Sequence, residues 1–195
     1  MIIGVTGGFC TGKSSVAKIF KSFGAKVIDL DKLAHKALKR DTKSFDKIVK
    51  EFGKDILVNN AISRSRLAKK VFGNKKRLAK LNSIVHPTVI SQMQGLIDKF
   101  DRSGAVVVEA PLLFEARLEN YFDYIIVVKT NKDTEIKRAV KKLGLSRAEV
   151  LKRIGSQMPL AKKIKMADLV IDNEGPINNT HKQAGLIWHD LINRR

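Results

Sequence analysis

The sequence predicts an α/β domain built on a parallel five-stranded sheet. Five short runs carry that expectation: Ile2-Ile3-Gly4-Val5, Lys26-Val27-Ile28-Asp29, Ala105-Val106-Val107-Val108, Tyr124-Ile125-Ile126-Val127-Val128 and Leu169-Val170-Ile171. They are rich in β-branched residues and lack polar alternation, the pattern of strands buried on both faces. Helical patterns separate them, which argues for parallel crossover connections.

In chain order, Gly7 and Gly8 break the first run, and Val16, Ile19, Phe20 and Phe23 then recur at helical spacing until Gly24 stops that helix. The second run ends in Asp29-Leu30-Asp31. If the strand continues there, its period of two puts both carboxylates on one side. About seventy residues with no convincing strand follow. Within them Leu78, Leu81, Val85, Val89, Met93, Leu96 and Phe100 keep helical phase, and Pro87 is expected to kink that helix or start a new one. Residues 32–103 therefore read as a mostly helical insertion between core segments 1–31 and 104–195.

A chain of 195 residues, 44% hydrophobic and 29% charged, suits one domain with a real core and excludes a disordered polyelectrolyte. The single cysteine, Cys10, excludes an intramolecular disulfide framework and cysteine-built zinc clusters. Met1-Ile2-Ile3-Gly4-Val5 has no basic leader before an apolar stretch, and no apolar run nears the roughly 18 residues that span a bilayer, so a soluble, cytoplasmic protein is expected. Against 19 acidic residues stand 38 Lys and Arg, a net charge of +19. Segment 1–31 holds 4 basic and 2 acidic residues, 32–105 holds 18 and 6, and 106–195 holds 16 and 11, so the insertion carries most of the excess. Such charge points to polyanionic partners: nucleic acid, anionic lipid or small phosphorylated molecules. Aromatics are only 6% of the chain and do not interleave with basic residues, which disfavours nucleic acid.

Gly7-Gly8-Phe9-Cys10-Thr11-Gly12-Lys13-Ser14 satisfies G-x-x-x-x-G-K-[ST] between a predicted strand and a predicted helix. Glycines let backbone amides close around a phosphate, and the helix N-terminus adds partial positive charge. Lys13 supplies a point charge for β- and γ-phosphates, and the Ser14 hydroxyl suits nucleotide-borne Mg²⁺. No G-x-G-x-x-G is present, which excludes a dinucleotide fingerprint. Asn131-Lys132-Asp133-Thr134 places its aspartate one position early for a guanine-reading motif, and Asp172-Asn173-Glu174-Gly175 follows it instead of preceding it, so a GTPase is disfavoured.

A carboxylate just beyond the second strand, Asp29 or Asp31, suits an acceptor hydroxyl that must be oriented and relieved of its proton. A helix N-cap is the equally good structural use, and spacing leaves both open.

These segments, together with Ala34-His35, Leu81-Asn82 before His86-Pro87, Pro111-Leu112-Leu113-Phe114-Glu115, Arg153 with Gln157, and Ala167-Asp168 through Val170-Ile171-Asp172-Asn173, resemble the dephospho-coenzyme A kinases over nearly the whole chain. The resemblance implies a P-loop kinase fold with a helical acceptor lobe and a lid at about 132–145. It implies transfer of the ATP γ-phosphoryl to the ribose 3′-hydroxyl of dephospho-coenzyme A, with Mg²⁺. Asp31 would be the catalytic carboxylate. Gly8, Cys10, Thr11, Gly12, Lys13, Ser14 and Ser15 would hold the nucleotide phosphates, with Ser14 on the metal. Arg138 and Lys142 would belong to the lid, Arg138 reaching the transferring group. His35, Arg64, His86, Pro111, Leu112, Leu113 and Glu115 would face the acceptor. Rival uses remain for several: His86 as a helix-boundary residue, Glu115 as a helix-start carboxylate, and Arg138 with Lys142 as a solvated basic face.

The chain departs from the family pattern at four places. Cys10 stands where glycine is usual, Lys142 where a second arginine is common, Ser63 where an acidic residue precedes Arg64, and Asp41-Thr42 where Pro-Gly is usual. A thiol beside a helix N-terminus is expected to be reactive. A nucleoside monophosphate kinase on the same scaffold is the nearest alternative.

Overall fold

The computed structural model describes residues 1–71, 73–100 and 104–193. Along the chain run β1 (Ile2–Gly7), α1 (Lys13–Ser22), β2 (Lys26–Asp29), α2 (Leu30–Ala37), α3 (Lys43–Phe52), β3 (Leu57–Val58), β4 (Ala61–Ile62), α4 (Arg64–Val71) and α5 (Lys75–Ile97). Then follow β5 (Val106–Glu109), β6 (Tyr124–Lys129), α6 (Lys132–Leu143), α7 (Arg147–Gly155), α8 (Leu160–Lys165), β7 (Leu169–Asp172) and α9 (Ile177–Asn193). The chain divides into two compact units, Met1–Asp29 with Phe100–Arg195, and Leu30–Lys99. Residues 72 and 101–103 of the expected insertion lie outside the described residues.

The first unit holds a five-stranded sheet of order β2-β5-β1-β6-β7 in which every pairing is parallel. Ile3, Val5, Val107, Ile126, Val128 and Ile171 are buried in one core with Val16 and Phe20 of α1 and Leu191 of α9, as strands with no polar alternation require. Successive crossovers leave β1 first toward β2 and β5, then toward β6 and β7 on its other side. The switch point therefore lies at the carboxyl end of β1, where open parallel sheets place their ligands. Asp29 and Glu109 pair in register beside it.

In the second unit α5 packs against α2 and α3, with Leu33, Ile48, Phe52, Val85, Val89 and Met93 buried. One expectation is corrected there, and two alternatives that the sequence left open are resolved. β3 and β4 form a short antiparallel hairpin where no strand was read. Its turn is Asn59-Asn60, both with positive φ (48° and 60°), the conformation that asparagine tolerates and two-residue hairpin turns demand. Next, α5 runs as one helix through Pro87, with no new start. Leu78, at the head of its apolar series, is 47% exposed. Finally, β2 stops at Asp29 and α2 begins at Leu30, so Asp31 lies in the first turn of a helix and the two carboxylates do not share a strand face.

Candidate nucleotide and acceptor site

The loop Gly7–Gly12 leaves β1 and delivers Lys13 to the first position of α1. Gly12 caps that helix at φ 96° without a side chain, so no cap side chain occupies the first-turn amides and an anion can. The glycine is needed for a second reason: a Cβ there would lie 2.0 Å from Asn173 Nδ2. Asn173, buried in the segment after β7, donates from Nδ2 to the Thr11 carbonyl (2.7 Å) while its Oδ1 accepts from Thr180 Oγ1 (2.7 Å). Arg138 of α6 joins the same carbonyl, Nη1 donating to Thr11 O at 3.4 Å and Nη2 to Asn173 O at 2.8 Å. On the inner side, Lys13 Nζ donates to Gly8 O at 2.6 Å and the buried Thr11 Oγ1 to the same oxygen at 3.2 Å. The loop is thus held at both of its carbonyl turning points.

Cys10 adopts φ 57°, the left-handed region that a side chain disfavours, and packs half-buried with Phe9 against Ile136, Ala139 and Val150. Burial pushes its thiol up, outweighing the nearby Lys13 and Lys142 charges, so the expected reactive thiol is corrected to a subdued one. The Arg153 guanidinium lies 5.7 Å over the Phe9 ring. Lys142 is exposed on α6, one turn beyond Arg138.

Ser14 Oγ donates to Glu109 Oε1 at 2.6 Å, and Asp29 is Glu109's neighbour across the sheet. Glu109 was not singled out from sequence, although an apolar run ending in an acid beside β1 was a usable signal. A hydroxyl and two carboxylates form the hard-oxygen environment that suits Mg²⁺. Among the described residues no three His, Cys, Asp or Glu side chains converge as a metal cluster, so an ion here would take most of its ligands from nucleotide and water. Ser15 is exposed in the first turn of α1.

A buried lysine supports the loop from below. Lys163 of α8 is wholly buried, donating from Nζ to Pro111 O (2.9 Å) and Gly7 O (3.4 Å) and pairing with Glu115 Oε1 at 2.9 Å. The same Glu115 oxygen accepts from the Met158 amide at 2.8 Å, so this carboxylate ties α8 to the Pro111–Glu115 segment. Leu113 is fully buried, under Gly4, and offers no surface to a ligand, whereas Leu112 is 46% exposed. Lys163 was missed because it sits in Lys162-Lys163-Ile164-Lys165, a run that reads as solvated surface.

Glu174 closes the rim of α6. Its carboxylate accepts from the Thr130 hydroxyl, from Asn131 N (2.8 Å) and Nδ2 (2.7 Å), and from Thr134 Oγ1 (2.6 Å), which together pull its pKa down to about 2.

In the helical unit, Asp31 is exposed near the N-terminus of α2 and His35 follows one turn later. Arg64 Nη1 lies 2.8 Å from His35 Nε2; a guanidinium can only donate, so that ring nitrogen accepts. The pair lines a cavity of about 460 Å³ with Leu38, Lys39, Arg40, Ala61 and Ile62. It has no acidic lining residue, and Lys39 and Arg40 add two cations that the sequence reading did not pick out. His86, half-buried in α5, has its pKa lowered by that burial and does not line this cavity.

A parallel β2-β5-β1-β6-β7 sheet with a Gly-Lys-Ser loop at its switch point defines a P-loop kinase. The family model described as dephospho-CoA kinase matches residues 1–179, and the chain belongs to that family. Dephospho-CoA kinase of Carboxydothermus hydrogenoformans is 42% identical over 185 residues, spanning 93% of this chain and 90% of that protein. Among solved structures, TT1252 from Thermus thermophilus superposes with a TM-score of 0.86 at 32% identity, over 98% of this chain and 97% of that one. Dephospho-CoA kinase from Campylobacter jejuni superposes with a TM-score of 0.71 at 30% identity, with the same coverage of 98% and 97%.

Proposed function

We propose that the chain performs its family's reaction, moving the ATP γ-phosphoryl group to the ribose 3′-hydroxyl of dephospho-coenzyme A to give coenzyme A and ADP, the last step of coenzyme A synthesis. The observation that carries this reading is the Lys13-clamped loop with its Ser14–Glu109 pair at the sheet's switch point, in a chain matched to the family over residues 1–179.

In this reading Lys13 leaves Gly8 O for the β- and γ-phosphates, and the loop amides follow the Gly8 and Thr11 carbonyls that fix them. Ser14 and Glu109 are the residues that would hold Mg²⁺, with Asp29 beside them. An ion held by these residues would supply charge neutralisation to the nucleotide phosphates. Asp31 orients the acceptor hydroxyl and takes its proton as the new P–O bond forms. Segment 132–145 is the lid: Arg138 exchanges the Thr11 and Asn173 carbonyls for the transferring group, and Lys142 follows on the same helix. The cavity around His35, Lys39, Arg40 and Arg64 takes the acceptor's diphosphate, the one part of that molecule that calls for several cations. Among the described residues no helix is long and apolar enough to cross a membrane, and a cytoplasmic location is part of the same proposal.

The test is a coupled ADP-release assay with dephospho-coenzyme A on the wild type and Asp31→Asn, with product mass checked. The expected result is turnover with dephospho-coenzyme A and a loss in kcat of about 10²–10⁴-fold in the variant. ADP release stimulated only by nucleoside monophosphates would overturn the acceptor, and unchanged turnover in the variant would remove Asp31 from its role.

A further inference from the structure

Glu135, in the first turn of α6, is a buried acid that the reaction above does not use. It is 4% exposed, and its Oε1 is buried with no hydrogen-bond donor. That oxygen sits 2.0 Å from where a Gly8 Cβ would be, so it lies directly against the Gly8 backbone. The carboxyl therefore rests against the backbone of the loop that takes the phosphates.

The charged and titratable groups facing Glu135 come from four elements: Lys13 at the start of α1, Cys10 in the loop, Lys132 on its own helix, and Lys163 on α8. None of these bonds to Oε1, and Lys163 is already committed to Glu115 and two carbonyls. What sustains an ionised Glu135 is the field of these cations, Lys13 first among the three.

We infer that Glu135 couples nucleotide binding to the uptake of one proton: the carboxyl is neutral when phosphates occupy the loop, and its ionised form opposes their entry. The inference rests on the nucleotide site proposed above. Phosphates arriving on Lys13 cancel the field that favours the carboxylate and bring like charge to the other side of the Gly8 backbone. Glu135 is placed to respond in this way, because burial has already pushed its pKa up to about 7. One proton is taken from solvent and ends on a Glu135 oxygen; no covalent bond of the nucleotide changes.

The sign follows from linkage. A form that binds only when protonated loses apparent affinity as pH rises through the free pKa, at most tenfold per pH unit. Between pH 6 and 8.5 the nucleotide Kd is expected to rise by up to about 30-fold. Glu135→Gln, isosteric with the neutral acid, is expected to show a flat profile near the wild-type value at pH 6.

The experiment is titration calorimetry with a non-hydrolysable ATP analogue and Mg²⁺, at pH 7.5, in two buffers of different ionisation enthalpy. Titration of the analogue's own phosphate is common to both proteins and cancels in their difference. The wild type is expected to take up a substantial fraction of a proton more than Glu135→Gln. Equal proton counts with binding intact overturn the inference and leave the nucleotide site standing. Failure of the wild type to bind the analogue at any pH overturns the nucleotide site as well. If the variant does not fold, an infrared difference spectrum of the wild type decides: a protonated-carboxyl band appearing on binding supports the inference, and its absence refutes it.

Discussion

Removing the Lys163 side chain from the loop's support is expected to be costly. Its ammonium is wholly buried and has three acceptors: Glu115 Oε1, Pro111 O and Gly7 O. Replacing it by methionine keeps the stem's volume but leaves the Glu115 carboxylate without its cation. Breaking a buried pair from one side costs about 3–5 kcal/mol. Glu115 keeps the Met158 amide and its side chain is 23% exposed, which places Lys163→Met near the lower end, about 3 kcal/mol. For a domain of this size, that is a fall in Tm of about 6–12 °C. Glu115→Leu strands the fully buried cation instead and is expected to cost more, about 4–5 kcal/mol. The double variant removes both charges, so its loss should fall at least about 2 kcal/mol short of the sum of the singles. The assay is urea unfolding of all four proteins followed by circular dichroism. A Lys163→Met loss below about 1 kcal/mol, or strict additivity, would refute the reasoning.

Two further outcomes follow from the titrating groups. Glu174 has a pKa of about 2 in the folded chain, below the ordinary glutamate value, so its stabilisation is present above roughly pH 4.5 and is lost as pH falls toward 2; Glu174→Gln is expected to flatten that part of the acid-unfolding curve, and an unchanged curve would count against the Thr130, Asn131 and Thr134 network. Cys10, half-buried with its thiol pushed up, is expected to react with iodoacetamide at pH 8 more slowly than in the urea-unfolded chain, by about threefold or more, and equal rates would contradict its placement.

The parts of the fold legible in sequence were those whose signal is local. Strands buried on both faces announce themselves as unbroken β-branched runs, and the loop's glycines, Lys13 and Ser14 are fixed by spacing. The β3–β4 hairpin was not legible because strands of two residues have no measurable period, and only the Asn59-Asn60 dipeptide marked its turn. Pro87 left a kink and a new helix start both open because a proline's local rule interrupts a helix, and with Val85, Val89 and Met93 buried around it α5 continues through as one helix. In the site, residues found by chemistry alone were recovered, but those whose role depends on distant partners were not. Glu109, Lys163 and Glu174 belong to the commonest surface residue types, and only the fold brings Ser14, Glu115 and Thr130 to them. The same limit explains Leu113 and Leu112, adjacent leucines of which one faces the core and the other solvent.

The basic excess takes a clearer place in this setting. Residues 32–105 carry 18 basic against 6 acidic side chains, and Lys39, Arg40 and Arg64 gather a small part of that excess around one cavity with His35. A charge excess of this sign is expected to steer anionic substrates, and the on-rate should fall as salt rises.

The most direct measurement is phosphorus NMR of the product formed from MgATP and dephospho-coenzyme A. The expected spectrum gains one phosphomonoester, on the ribose 3′-oxygen, in step with ADP. ADP without a new phosphomonoester, or a phosphate on any other hydroxyl of the acceptor, would contradict the assignment of this site.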